Sequence, residues 1–293
     1  VSLRNLLAGH AAVVAPGAYD ALSALLVEQA GFQAVYVSGA SIAYTQLGRP
    51  DIGLVSASEV VNVVARMRDR VAIPLIVDAD TGYGNALNVQ RTVSMLEGAG
   101  ANAIQIEDQQ SPKRCGHLQG KALVTCEEMS GKVRAAVDAR RDPATLIIAR
   151  TDAIAVEGLE GALERAERYL EAGADVLFVE APQSMEQIRA VTGAFARRAP
   201  LVANMVEGGR TPMLSQAQLT DLGFRLVIAP GALVRAFAFM AREFLAVLAE
   251  DGSSARYRDR MVDLAGINAI IGLEDMLSAG VRYGSSERLT AAE

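Results

Sequence analysis

The sequence predicts an α/β fold, a (β/α)8 barrel of the TIM type. Eight apolar runs of strand length recur along the chain, and they are continuous rather than alternating, as expected of strands buried on both faces of a parallel sheet. Helix-like stretches separate most of them. Four of the joints also repeat one pattern, a helix-like segment ending in Gly just before a strand, and Gly accepts the left-handed conformation that closes a helix C-terminus. Eight alternating units near this length favour a closed barrel. An open doubly wound sheet is the competing topology, but no Gly-x-Gly-x-x-Gly turn follows the first strand.

In order, the first run starts near Val13 and leads into a helix over 20–30, closed by Gly31. The second starts near Ala34, with a helix over 58–68. The third starts near Pro74, and the helix over 86–99 ends at Gly100. The fourth starts near Ala103, before a helix over 127–139. The fifth starts near Thr145, and its helix over 159–172 ends at Gly173. The sixth and seventh start near Asp175 and Pro200. Gly223 introduces the eighth, near Arg225, which is followed by a helix over 232–249. Residues 1–252 therefore read as the barrel and 253–293 as a helical extension, linked by Ser253-Ser254-Ala255. The extension carries one helical pattern over 257–284, with Leu264, Ile267 and Ile271 at helical spacing and Leu277 further on. It has no slot in the ring, so it is expected to cap the rim or pack on a neighbouring subunit.

Composition narrows the class. At 293 residues and 51% hydrophobic, the chain has material for one large domain or two small ones. A net charge of −6 with scattered Lys and Arg argues against nucleic acid as a partner. No apolar run approaches the roughly 20 residues that cross a bilayer, and Val1-Ser2-Leu3-Arg4-Asn5 has no signal-peptide pattern. Two cysteines make no disulfide framework, which suits a reducing cytoplasm. Cys126 reads as a packed residue near a helix start, and His10 as a surface residue.

In such barrels the site forms at the C-terminal strand ends. Polar residues collect there: Tyr36-Val37-Ser38-Gly39 in the second strand, Asp78-Ala79-Asp80 in the third and Glu107-Asp108 in the fourth. Arg150-Thr151-Asp152 ends the fifth, Glu180 the sixth and Asn204 the seventh. Asp78 and Asp80 are two apart, so on a strand both point to one side. Two such carboxylates repel unless a cation lies between them, and Glu107 adds a third oxygen ligand. Mg²⁺ fits this donor set, with Mn²⁺ as a substitute, whereas Zn²⁺ would call for His or Cys ligands. The competing reading is an ion-pair network with Arg91 or Arg150. Arg150 itself either clamps a substrate carboxylate or bridges Glu180 or Asp152. The amides near Ser38-Gly39-Ala40 are suited to a carboxylate, or form a plain turn, and Asp51 could be a helix cap.

After the fourth strand comes Lys113-Arg114-Cys115-Gly116-His117. The chain has two cysteines and two histidines, and one of each stands here. A thiol beside cations has a lowered pKa, which suits proton transfer or nucleophilic attack. The bland alternative is a solvated basic loop. Gly116 and Gly120 would let the loop close over a site.

Several stretches resemble the isocitrate lyase/phosphoenolpyruvate mutase superfamily. They are Val77-Asp78-Ala79-Asp80-Thr81-Gly82-Tyr83-Gly84-Asn85, Ile106-Glu107-Asp108-Gln109, Ala149-Arg150-Thr151-Asp152-Ala153, Val179-Glu180-Ala181 and Ala203-Asn204-Met205. The Cys115 motif is similar to the lyase branch. The resemblance implies a Mg²⁺-dependent homotetramer whose subunits exchange the last helix. It implies cleavage of a C–C bond in a 2-hydroxy di- or tricarboxylate. In that pattern Asp78 binds the metal directly, Asp80 and Glu107 largely through water. Ser38, Gly39 and Ala40 hold the 2-oxo carboxylate and Arg150 the substrate oxygens. Cys115 protonates the leaving carboxylate, with His117, Glu180 and Asn204 around it; Tyr36, Asp51 and Gly116 are also matched. Within the branch the resemblance reaches the 2-methylisocitrate and dimethylmalate lyases, with oxaloacetate hydrolases and phosphonate-forming mutases as alternatives. Pro230 in Ala229-Pro230-Gly231 and the following Arg235, which could meet a second carboxylate, look lyase-like. Ser111-Pro112 and Glu207-Gly208-Gly209-Arg210 look more like the dimethylmalate lyase and hydrolase groups.

Overall fold

A computed structural model of the chain describes residues 2–116 and 120–284. All eight apolar runs are parallel strands. Helix α1 (Leu3–Leu7) precedes β1 (Val13–Ala18), α2 (Ala21–Gln29) and β2 (Val35–Val37). A short α3 (Gly39–Ile42) runs into a π-helical turn, Ala43–Leu47. Then come α4 (Ala57–Arg70), β3 (Leu75–Asp78), α5 (Ala86–Gly98), β4 (Ala103–Glu107), α6 (Cys126–Ala139) and β5 (Leu146–Thr151). The ring continues with α7 (Gly158–Glu171), β6 (Val176–Val179), α8 (Met185–Phe195), β7 (Val202–Asn204), α9 (Gln216–Leu222) and β8 (Leu226–Ala229). Helices α10 (Ala232–Asp251), α11 (Leu264–Ile271) and α12 (Leu273–Arg282) end the described chain.

The strand order is β6-β5-β4-β3-β2-β1-β8-β7, and a parallel bridge between Leu177 and Leu201 brings β6 to β7, so the sheet curls into a nearly closed barrel. The helices start where the sequence offers caps. Asp20 and Ser23 form a capping box on α2, Ser56 and Glu59 on α4, and Asn85 and Asn88 on α5, each satisfying otherwise orphaned N–H groups. The four joint glycines Gly31, Gly100, Gly173 and Gly223 all have φ between 85° and 103°.

The barrel interior is layered. Val13, Ala34, Ala103, Leu146, Val176, Val202 and Leu226 belong to one buried cluster, as do Ala15, Tyr36, Ile76, Ile148, Phe178 and Ile228 one inward position further along. Leu3 and Leu7 of α1 join that cluster, so the helix plugs the N-terminal end of the barrel. Each buried Leu of this size stabilises the fold by about 1.5–3 kcal/mol. Because side chains alternate with period two, the next inward positions after the apolar layers are Asp78, Glu107, Arg150, Glu180 and Asn204. The interior thus turns from apolar to charged toward the C-terminal strand ends.

Two compact units are present, Val1–Val234 and Arg235–Glu293. The boundary falls inside α10, N-terminal to the 252/253 division read from the sequence. The single helical pattern expected over 257–284 is broken. Ala255–Arg260 is a 3-10 turn, Asp263 caps α11, and Gly272 at φ +79° separates α11 from α12. Leu264, Ile267 and Ile271 do share α11, but the left-handed Gly272 ends its hydrogen-bond ladder.

Candidate active site

The strand ends bring Tyr36, Ser38, Gly39, Asp78, Asp80, Glu107, Arg150, Glu180 and Asn204 to one rim of the barrel. Tyr36 is fully buried, and its hydroxyl donates to Gln105 Oε1 at 3.0 Å. Gln105 Nε2 in turn donates to Asp78 Oδ1 at 3.2 Å. Burial, then the neighbouring Asp78, pushes the Tyr36 phenol well above its ordinary range, so it keeps its proton. Ser38 caps the short α3 by accepting from Ser41 N, and Gly39 follows it directly. A Cβ at Gly39 would stand 3.2 Å from Asp78 Oδ2 and 3.5 Å from Asp80 Oδ1, so this backbone lies against both carboxylates. Ala40 is the next residue of the same helix.

Asp78 and Asp80 meet by a different route from the one expected. Strand β3 stops at Asp78, and Asp80 sits in the turn beyond it at φ +47°. The pleat therefore does not align them; a left-handed turn folds Asp80 back, and its N–H donates to Asp78 Oδ1 at 3.2 Å. Lys113 is nearly buried and places Nζ 2.7 Å from Asp80 Oδ1 and 2.5 Å from Asp51 Oδ1. Its charge is thus directed at two carboxylates rather than at the Cys115 thiol. Asp51 is an ion-pair partner rather than a helix cap. Burial pushes the Asp80 carboxyl up to about 7, although Lys113 pulls against it. Glu107 is buried, and neither of its oxygens accepts a hydrogen bond among the described residues. Its nearby cation is Arg150, with Nη1 at 3.2 Å from Oε2. Burial raises the Glu107 carboxyl, and Arg150 offsets only part of that.

Arg150 has a fixed orientation. Nε and Nη2 donate to the two oxygens of Asp152 at 3.0 and 3.1 Å, Nη2 lies 3.6 Å from Glu180 Oε2, and the guanidinium stacks on Phe178. Both pairings weighed from the sequence, to Glu180 and to Asp152, are therefore present, whereas Arg91 lies on an exposed face of α5. Asn204 Nδ2 donates to Glu180 Oε2 at 3.1 Å, leaving its own buried Oδ1 without a hydrogen bond among the described residues. The Cys115 motif reaches this same rim. A Cβ at Gly116 would stand 2.5 Å from Arg150 Nη2 and 2.8 Å from Glu180 Cδ. Cys115 is half-buried and not in a disulfide. His117 lies outside the described residues, and Arg235 opens the second unit.

Two supporting residues, Gln105 and Lys121, escaped the sequence reading, and a third, Asp108, was given no role. Gln105 is two before Glu107 on one strand, so the alternation rule alone would have turned it inward. Lys121 carries no local signal, whereas the buried hub Asp108 stands at the polar end of the fourth strand without a role assigned to it there. Asp108 accepts from Thr151 Oγ1, Tyr169 OH and the Asp152 N–H.

The family model described as phosphoenolpyruvate phosphomutase matches residues 3–248. The chain belongs to the phosphoenolpyruvate mutase/isocitrate lyase superfamily. Among curated superfamily members, a 2-methylisocitrate lyase of Aeropyrum pernix is 48% identical over 275 residues, covering 93% of this chain and 87% of its own. A 2,3-dimethylmalate lyase of Eubacterium barkeri is 41% identical over 283 residues, covering 97% of both chains. Among solved structures of the superfamily, a phosphonopyruvate hydrolase in complex with oxalate and Mg²⁺ superposes with a TM-score of 0.87. It is 33% identical, with 96% of this chain and 97% of that one covered.

The residues at the rim fit the hard cation such enzymes use. The donors are oxygens only, and Glu107 offers two buried oxygens that accept no hydrogen bond among the described residues. Among the described residues, no three His, Cys, Asp or Glu side chains form a ready-made cluster.

Proposed function

We propose that this chain is a carbon–carbon lyase acting on a 2-hydroxy di- or tricarboxylate of the 2-methylisocitrate or 2,3-dimethylmalate kind, releasing pyruvate and a second carboxylate. The observation that carries this reading is the close packing of Gly116, the residue after Cys115, on Arg150 and Glu180, at the rim that also holds Asp78 and Glu107. The two curated lyases that match nearly the whole chain support it.

Asp78 would hold Mg²⁺, or Mn²⁺ in its place, with Asp80 and Glu107 acting largely through water. When bound, the ion supplies Lewis-acid stabilisation of charge on the 2-oxo acid oxygens. Arg150, held by Asp152, directs Nη1 and Nη2 toward the substrate oxygens. Ser38 and the amides of Gly39 and Ala40 bind the 2-oxo carboxylate. Tyr36 stays protonated and orients Asp78 through Gln105. As the 2-hydroxyl gives its proton to a base and its oxygen becomes the oxo group, the C–C bond breaks, its electron pair stays on the carbon α to the departing carboxylate, and Cys115 Sγ gives that carbon a proton. Glu180 and Asn204 would line the side on which the departing carboxylate forms, with Gly116 beside it and Asp51 behind Lys113. Two cysteines outside any disulfide suit a reducing cytoplasm. The apolar residues exposed on the second unit support a homotetramer that exchanges its last helices.

The test is incubation with 2-methylisocitrate, 2,3-dimethylmalate and oxaloacetate under Mg²⁺, reading pyruvate and oxalate. Pyruvate from a hydroxy acid, lost with a chelator and restored by Mg²⁺, is the expected result. Oxalate and acetate from oxaloacetate alone would instead make the chain a hydrolase. Cys115→Ser is expected to lower turnover by about 10²-fold or more while the melting curve is unchanged. Near-wild-type turnover would remove the acid role from Cys115.

A further inference from the structure

We infer that Lys121 is a positioning residue: its buried amine ties the backbone carrying Cys115 to the same carboxylate that orients Arg150. The inference rests on the reading of Cys115 as the proton donor. Its geometry stands without it.

The side chain of Lys121 is 1% exposed. Nζ lies 2.5 Å from the carbonyl oxygen of Gly116 and 2.8 Å from Asp152 Oδ1, and it donates to both. An ammonium at this depth is costly unless it is paired, and a carboxylate with a carbonyl supplies that pairing. Asp152 is fully buried and also receives both Arg150 bonds. One carboxylate therefore sits between two cations, one reaching from β5 and the other from the segment after Gly120. The mooring is rigid, because the Asp152 N–H donates to Asp108, which also accepts from Thr151 and Tyr169.

The consequence falls on Gly116. Its backbone packs on Arg150 Nη2 and Glu180, so a shift of its carbonyl moves Cys115 relative to both. Lys121 removes that freedom by bonding the carbonyl to the Arg150 anchor. Proton donor and substrate clamp then share one reference point, and an error in their spacing is suppressed. The chain's other motif cations act elsewhere: Lys113 is held by Asp51 and Asp80, and the Arg114 guanidinium crosses Gly120.

The experiment compares Lys121→Met, Lys121→Gln and Lys121→Arg in the full-length, substrate-free protein. Each is treated with iodoacetamide, and alkylation of Cys115 and Cys126 is followed separately by peptide mass spectrometry. Loss of a nearby cation alone would raise a thiol's pKa and slow its reaction, so acceleration reports a lost tether. Lys121→Met is expected to speed Cys115 alkylation about tenfold while Cys126 is unchanged, because local opening leaves the rest of the fold intact. Lys121→Arg, which keeps charge and donors, is expected within about threefold of wild type. With the lyase substrate, Lys121→Met is expected to lower kcat more than it raises KM. An unchanged Cys115 rate in Lys121→Met, or equal acceleration of both cysteines, would overturn the tether. Should Lys121→Met not fold, Lys121→Gln is read the same way. A chain with no turnover of any acid but accelerated Cys115 alkylation would defeat the proposed reaction and leave the tether standing.

Discussion

Gly116 leaves no room for a side chain, since a Cβ there would meet Arg150 Nη2 at 2.5 Å and the Glu180 carboxyl carbon at 2.8 Å. Gly116→Ala is therefore expected to lower kcat about 10–100-fold, since small misplacements of reacting groups are costly, while the melting temperature shifts by only a few degrees. Steady-state kinetics beside thermal melts check this, and a normal kcat would contradict the packing. Asp152 gives a pH prediction. Burial opposes its ionisation, but Arg150 and Lys121 outweigh burial and hold the carboxyl below its ordinary range. A depressed carboxylate contributes stability that is present above the unfolded value and lost as pH falls through the folded one. Asp152→Asn, which strands two buried cations, is expected to cost about 3–5 kcal/mol at pH 7. The gap to wild type should narrow as pH falls below about 3.9, measured by urea unfolding across pH. The proposed site residues were legible because they stand at strand ends in recognisable order. Gln105 was legible in principle and was passed over. Lys121 was not, because its partners Gly116 and Asp152 come together only in three dimensions.

At the scale of elements, α1 closes the barrel floor with Leu3 and Leu7, which are 1% and 3% exposed. Leu7→Ala is expected to destabilise the fold by about 2–5 kcal/mol, because the strand starts around it cannot collapse into the space. Denaturant titration reads this, and a loss below about 1 kcal/mol would show that α1 is dispensable to the core. All eight strands were legible from continuous apolar runs, and the joint glycines from their helix-closing positions. The turn after β3 was not. Strand alternation was extended to Asp80, but β3 ends at Asp78 and the left-handed Asp80 brings the two carboxylates together by another path. The break at Gly272 was likewise hidden, since an apolar helical repeat continues across it.

At the scale of the whole molecule, the barrel unit buries its large apolar side chains far better than the second unit does. Phe237, Phe239, Met240, Leu245, Leu264 and Met276 are 48–77% exposed, and none of the residues of α11 or α12 is buried. Apolar surface on this scale marks a partner, and the proposed partner is a second copy of the chain. Light scattering after size exclusion should give the mass of a tetramer. Phe239→Glu with Met276→Glu should give smaller species, because two charges would have to be buried unpaired. A monomeric wild type would refute the assembly. Among the described residues no single helix is long and apolar enough to cross a membrane.

The sequence by itself determined the parallel eight-stranded ring, the rim on which its polar strand ends gather and the superfamily. Those follow from local periodicity, from Gly at helix ends and from short motifs, all readable along the chain. Tertiary structure alone decided how the charges pair. Lys113 turns to Asp51 and Asp80, Arg150 is locked by Asp152, and Lys121 joins Gly116 to that same carboxylate. Buried charges choose partners by depth and distance, and neither is encoded in spacing along the chain.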